Sequence, residues 1–162
     1  MAKNRFTESN LIIPLCAEAT DINAAVELDC FYMGKYNHAT VIIQHSASVT
    51  GDNVLTVETG ATDGADTADA YFDYRLGSGA PGAASADVLA APATTRVATL
   101  TLTAATYQGK MLVLEIDGED LSYPYVTVDL DGTASVGTIM AFAILSEPRY
   151  SEAVMDTAIP TS

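Results

Sequence analysis

YPYVTVDLDG, residues 123–132, alternates with period two: Val126, Val128 and Leu130 fall on one side of an extended chain, and Tyr125, Thr127 and Asp129 on the other. Successive side chains of a strand point to opposite faces, so the stretch reads as a strand with one dry face and one wet face. The Asp-Gly that closes it reads as a turn. The same signature recurs on both sides. RVATLTLTA (96–104) sets Ala98, Leu100 and Leu102 against Thr99, Thr101 and Thr103, and NVLTVETG (53–60) sets Leu55 and Val57 against Thr56 and Glu58. YFDYRLG (71–77) turns Phe72, Tyr74 and Leu76 away from Tyr71, Asp73 and Arg75.

Further strands are expected at AAVELDC (24–30), HATVIIQHSASV (38–49) and KMLVLEID (110–117). The TGDN turn signal before NVLTVETG predicts a β-hairpin over 38–60. VGTIMAFAIL (136–145) is almost wholly apolar and reads as a central strand, with 139–145 buried on both faces. No amphipathic helix longer than about two turns is legible. Short strands broken by turns, rich in β-branched residues, predict an all-β fold: one antiparallel β-sandwich or jelly-roll domain.

Residues 1–22 are expected as an N-terminal arm, 23–150 as the sandwich and 151–162 as a C-terminal tail. Pro14 in LIIPL bars that run from a central strand or a helix interior. Within the sandwich, SGAPGAASADVLAAPATT (78–95), rich in Gly, Ala, Ser and Pro, is expected as a flexible loop.

Twenty-one acidic residues against seven basic ones give a net charge of −14. Nucleic acid and anionic membrane surfaces are therefore excluded as expected partners, because both reward Lys and Arg. Charged residues make up only 17% of the chain, against about 25% in an average domain, which fits a molecule with much of its surface packed against something. Cys16 and Cys30 both sit in apolar surroundings and are expected as buried free thiols. The polar start MAKNRFTESN and the short apolar run after it do not form a signal peptide, and no apolar run reaches the ~20 residues of a membrane span. Synthesis in a reducing cytoplasm without a cleaved leader is expected.

Reactive constellations are hard to find. His38 and His45, seven apart, fall on opposite faces of a strand and make no shared metal site. They are expected as strand-edge histidines. No Gly-x-Ser-x-Gly elbow is present, nor a phosphate-cradling glycine loop. Asp63, Asp66 and Asp69 in one loop, and Asp129 and Asp131 before Gly132, invite a calcium reading. With Asp129 counted as the first position, the twelfth is Met140, where an EF-hand needs a glutamate, so solvated turn carboxylates are the better reading. Asp117, Glu119 and Asp120 share a turn and lack the second wall that a glycosidase pair requires. Tyr71, Tyr74, Tyr123 and Tyr125 could stack on a sugar, but cross-strand aromatic pairing is their commoner use. No catalytic residue, cofactor or metal ligand is expected, and the chain is not expected to be an enzyme.

The order NHATVIIQHSASVTGDNVLTVETG, YFDYRLG, KMLVLEIDGEDL, YPYVTVDLDG and AFAILSEPRY resembles the head-decoration, or cement, proteins of tailed bacteriophages over roughly residues 25–150. The resemblance implies a sandwich or jelly-roll protein, usually trimeric, that binds the major capsid protein on the outside of an icosahedral shell and stabilises it. It carries no catalytic signature. A head–tail joining or tail component, and a glycan-binding sandwich, are the alternatives.

In AFAILSEPRYSEA (141–153), Pro148 cannot donate to a ladder, so strand pairing should stop there. Arg149 follows with a planar fork suited to a carboxylate, and Tyr150 with a ring carrying a polar tip. An internal Asp or Glu is the expected partner of Arg149, and anchorage of the tail on a neighbouring subunit is the alternative. Arg5 and Phe6 in the arm, with Arg149 and Tyr150 at the exit, are the residues expected to touch a second subunit or the shell.

Overall fold

The computed structural model describes residues 6–79, 82, 88–132 and 136–149. In chain order these form a one-turn helix α1 (Phe6–Ser9), then β1 (Leu11–Pro14), β2 (Thr20–Asp21), β3 (Val26–Glu27), β4 (Phe31–Tyr32), β5 (Tyr36–His45) and β6 (Asn53–Gly60). There follow β7 (Ala68–Asp69), β8 (Asp73–Leu76), β9 (Thr99–Leu102), a second one-turn helix α2 (Ala104–Tyr107), β10 (Met111–Asp117), β11 (Tyr125–Asp131) and β12 (Thr138–Pro148). No helix among the described residues is long and apolar enough to cross a membrane.

Two antiparallel sheets pack face to face as a β-sandwich. Sheet A runs β1-β12-β5-β10-β8, with β2 continuing the β1 edge of β12. Sheet B centres on the β11–β6 pair. Its edges are split, β3 and β4 sharing the outer side of β11, and β7 and β9 that of β6. Between the sheets lie Ala39, Val41 and Ile43 of β5, Leu112, Leu114 and Ile116 of β10, Leu55 and Val57 of β6, and Val126, Val128 and Leu130 of β11, all fully buried. At about 25 cal/mol per Å² of apolar surface removed from water, this inner layer dominates the stability.

Several expectations are corrected. β5 and β6 do not form a hairpin: β5 belongs to sheet A and β6 to sheet B. The 46–52 connection arches over the end of the sandwich, with Val49 tucked in at 5% exposure and Thr50 bridged to Val136. β5 and β6 each have one fully buried apolar row, and crossing between the sheets lets both rows turn inward. β10 and β11 are joined across the sheets in the same way.

Residues 11–22, grouped with the arm by composition, are part of the sandwich. β1 and β2 pair with β12, and Ile13, Leu15 and Ile22 are buried at 2% exposure or less. Pro14 sits at the open edge of sheet A, where its missing N–H breaks no ladder bond. The described part of 78–95 runs back along β8: Ser78 donates to the Val88 carbonyl, Ala90 to Leu76 and Ala93 to Tyr74.

β12 is central by pairing, flanked by β1 and β5, and its ladder ends at Pro148 opposite Tyr36. It is buried on one face, however, and not on both. Ile139, Ala141, Ala143 and Leu145 face the core, while Met140 is 42% exposed and Phe142 and Ile144 are only half-buried.

Candidate functional site

Register turns this half-covered strand into a surface. Across the outer side of sheet A, Pro14, Phe142, Ile42 and Val113 lie in one cross-strand row. Ile12 and Ile144 begin the next row, and Met140 flanks the first on its other side. Ile12 is 50% exposed. These residues form a contiguous apolar row that is part-open to water at Ile12, Met140, Phe142 and Ile144 and closed at its far end, where Val113 is buried at 5% exposure; its open part is the kind of patch that marks an interaction surface in a folded protein.

The outer side of sheet B is its chemical opposite. There β11 presents Tyr125, Thr127, Asp129 and Asp131, β6 presents Thr56 and Glu58, and β9 presents Thr99 and Thr101. Tyr125 stands opposite Tyr32 in register, with ring centroids 5.0 Å apart, the cross-strand use expected of it. Asp66, Glu58 and Asp129 bring carboxylate oxygens within 4.8 Å of one another. The sequence supplied Asp66 and Asp129 in separate loop and strand motifs, and the β11–β6 pairing joins them through Glu58. Such an all-oxygen set is of the type that hard cations accept. Burial, followed by the charges of Asp66, Glu58 and Glu27, pushes Asp129 up to about 6, and burial raises Glu58 as well.

At one end of sheet A the apolar rows give way to charge. His38 is held between two carboxylates of β10, with Nε2 2.8 Å from Glu115 and Nδ1 3.0 Å from Asp117. Thr40 donates to the same Glu115 oxygen at 2.8 Å. Burial pulls the His38 pKa down, but the hydrogen bonds to Asp117 and Glu115 outweigh it and the net shift is upward. Arg96 binds Asp120 and lies 3.4 Å from Asp117 and 3.6 Å from Asp73. The turn carboxylates Asp117 and Asp120 are thus partners of a cation. His38 and His45 are not at a sheet edge: both lie on β5, which is central. They face opposite sides, as their spacing predicts. His45 points inward at 3% exposure, its ring 6.0 Å from that of Tyr107, and burial lowers its pKa.

Cys16 and Cys30 are free and half-buried, less deeply than their apolar neighbours suggested. Burial raises the Cys30 pKa, with Thr127 and Asp63 beside the thiol.

Of the four residues expected to make contacts, Arg5 and Tyr150 lie outside the described residues. Phe6 is 56% exposed at the start of α1. Arg149 has no carboxylate within ion-pair distance among the described residues. Its guanidinium donates instead to main-chain carbonyls, from Nε to Tyr36 at 3.3 Å and from Nη2 to Gly118 at 3.4 Å. Its own N–H binds the Lys35 carbonyl at 2.9 Å. The approach depends on Gly118: a Cβ there would stand 3.1 Å from Arg149 Nη2 and 2.9 Å from the Tyr36 carbonyl oxygen. Nothing near Arg149 in sequence signals that partner, which lies 31 residues away.

No family model matches the chain, and no curated protein matches it closely enough to count as a relative. Among solved structures it is similar to the crystal structure of the SPBc2 prophage-derived protein YomS, with a TM-score of 0.48 and 13% identity, covering 84% of this chain and 91% of that one.

Proposed function

We propose that this chain is a structural protein of a tailed-phage virion. In this reading it binds the major capsid protein on the outside of the shell and stiffens it, as a decoration or cement protein, working as a homotrimer. It is synthesised in the host cytoplasm and has no catalytic role.

The observation that carries the reading is the unlike chemistry of the two sheet faces. The part-exposed Phe142 and Ile42 and their neighbours Ile12, Ile144 and Met140 offer an apolar face for burial against a protein lattice. The opposite face, with Thr56, Glu58, Asp129 and Asp131, is suited to remain in water. A net charge of −14 keeps such a molecule away from nucleic acid while it assembles. The order of strands and turns over residues 25–150, similar to that of decoration proteins, points the same way.

The test is to incubate the purified protein with heads of the parent phage that lack it, then measure co-sedimentation, copy number and resistance of the heads to heat. Saturable binding at a copy number that covers the shell lattice, with a raised head-disruption temperature, is the expected result. Absence from heads, or a copy number fitting a single ring at the head–tail joint, would overturn it.

A further inference from the structure

Arg149 lines a cavity at the end of β12. A hollow of about 210 Å³ opens beside it, walled by Met33, Leu121, Tyr123 and Pro124 and floored by Gly118. Met33 is buried at 1% exposure, and its N–H is tied to the Pro124 carbonyl at 2.7 Å, so two walls are fastened to each other.

A guanidinium carries five N–H donors in a rigid plane and can present two of them side by side along either of two edges. In Arg149 the Nε/Nη2 edge is taken by the carbonyls of Tyr36 and Gly118. The other edge, made by Nη1 and the second Nη2 hydrogen, has no acceptor among the described residues. The nearby carboxylates Asp117 and Asp120 are already committed to Arg96, and Asp117 to His38 as well. The fixed edge also holds the plane of the free one, which preorganises it for a two-oxygen acceptor.

We infer that the Arg149 cavity is a binding site for a carboxylate carried on an apolar stem, the form in which a Glu or Asp side chain beside a hydrophobic residue, or a chain terminus, would enter it. The carboxylate takes the free edge in bidentate fashion, and the stem lies against Leu121, Tyr123 and Pro124. The inference stands on this geometry and not on the virion reading. A second copy of the chain, with its 21 acidic residues, and a different protein are both able to supply such a group.

The probe is hydrocinnamate, a phenyl ring on a short carboxylate stem, titrated into the full-length protein and followed by NMR of backbone amides and of the Arg149 Nε–H. Saturable shifts confined to Gly34, Gly118, Leu121 and Arg149 are expected. The neutral 3-phenylpropanamide should produce none. Arg149→Met should abolish the shifts. Arg149→Lys, which keeps the charge without the fork, should weaken binding by about tenfold. Shifts that are equal for the amide, persist in Arg149→Met, or never saturate would overturn the site. With binding in hand, competition by a synthetic peptide of residues 150–162, together with self-association that rises with protein concentration and is lost in Arg149→Met, assigns the natural carboxylate to a second copy of the chain. Lack of competition assigns it to another protein, and the site stands in both cases.

Discussion

Asp129 and Glu27 face each other directly across the β11–β3 ladder on the outer side of sheet B, with no cation between them among the described residues. Like charges directly opposite in a sheet are destabilising, and Glu58 and Asp66 add to the repulsion. The Asp129 carboxyl is therefore pushed up to about 6 by burial and by its acidic neighbours. A carboxyl whose folded pKa is raised contributes stability that is fully present below its ordinary value near 4 and is lost as pH climbs through 6. Asp129→Asn should accordingly stabilise the protein at pH 8 by about 1–2 kcal/mol, allowing for solvent screening, and the gain should vanish near pH 4. Urea unfolding of both proteins at the two pH values measures this. An equal effect at pH 4 and pH 8 would show that the charge is not responsible.

The two histidines should titrate on opposite sides of the ordinary value of 6.5. His38, clasped by Asp117 and Glu115, moves up despite its burial, and His45, shut into the core beside Tyr107, moves down. For His38, stabilisation by its carboxylates is complete below pH 6.5 and fades as pH rises through the raised folded value. His38→Gln should thus cost about 0.5–1 kcal/mol at pH 5.5 and less at pH 9, since the site is partly exposed. Carbon-bound proton resonances of the two rings, followed from pH 4 to 9, give the order directly. A His45 that protonates before His38 as the pH is lowered would contradict it.

Each strand's inner face was readable because alternation is local: Val126, Val128 and Leu130 announce their side from ten residues of sequence. Which sheet a strand joins is not local, so Gln44 and Leu55 looked like the arms of one hairpin although they lie in different sheets. Ile139–Leu145 misled for another reason. Periodicity cannot distinguish an apolar face covered by the same chain from one left for something else, so Met140 and Phe142 read as core. The acidic trio of Glu58, Asp66 and Asp129, and the carbonyl clasp on Arg149, are products of long-range pairing. Only their members, and not their meeting, could be seen beforehand.

Gly60, at the end of β6, should tolerate no side chain. A Cβ there would stand 1.8 Å from the carbonyl oxygen of Ala65, main chain that cannot swing aside. Gly60→Ala must push the 61–67 loop away and take Asp66 with it. The expected loss is about 2–3 kcal/mol, typical of overpacking, with a Tm lower by several degrees. Displacing Asp66 also removes one of the charges that raise Asp129, so the Asp129 titration should shift toward its ordinary range in the variant. An unchanged Tm and an unchanged Asp129 titration would show that the loop is free to yield.

The apolar face of sheet A should be separable from the stability of the domain. Ile12 and Met140 are its most exposed members, at 50% and 42%, so charging them disturbs the interior least. Ile12→Glu and Met140→Glu should each change stability by no more than about 1 kcal/mol, as surface substitutions do. An apolar contact that must leave water on docking behaves differently, because a buried unpaired carboxylate is strongly unfavourable. If the face docks on the shell, each variant should lower affinity for phage heads by at least about tenfold, and the pair together should abolish binding. Glu58→Gln on sheet B, which removes a charge from the opposite face, is the control and should bind as the parent does. Heads that take up the double Ile12/Met140 variant normally would move the contact elsewhere on the molecule. Loss of binding in Glu58→Gln alone would assign the contact to the acidic face.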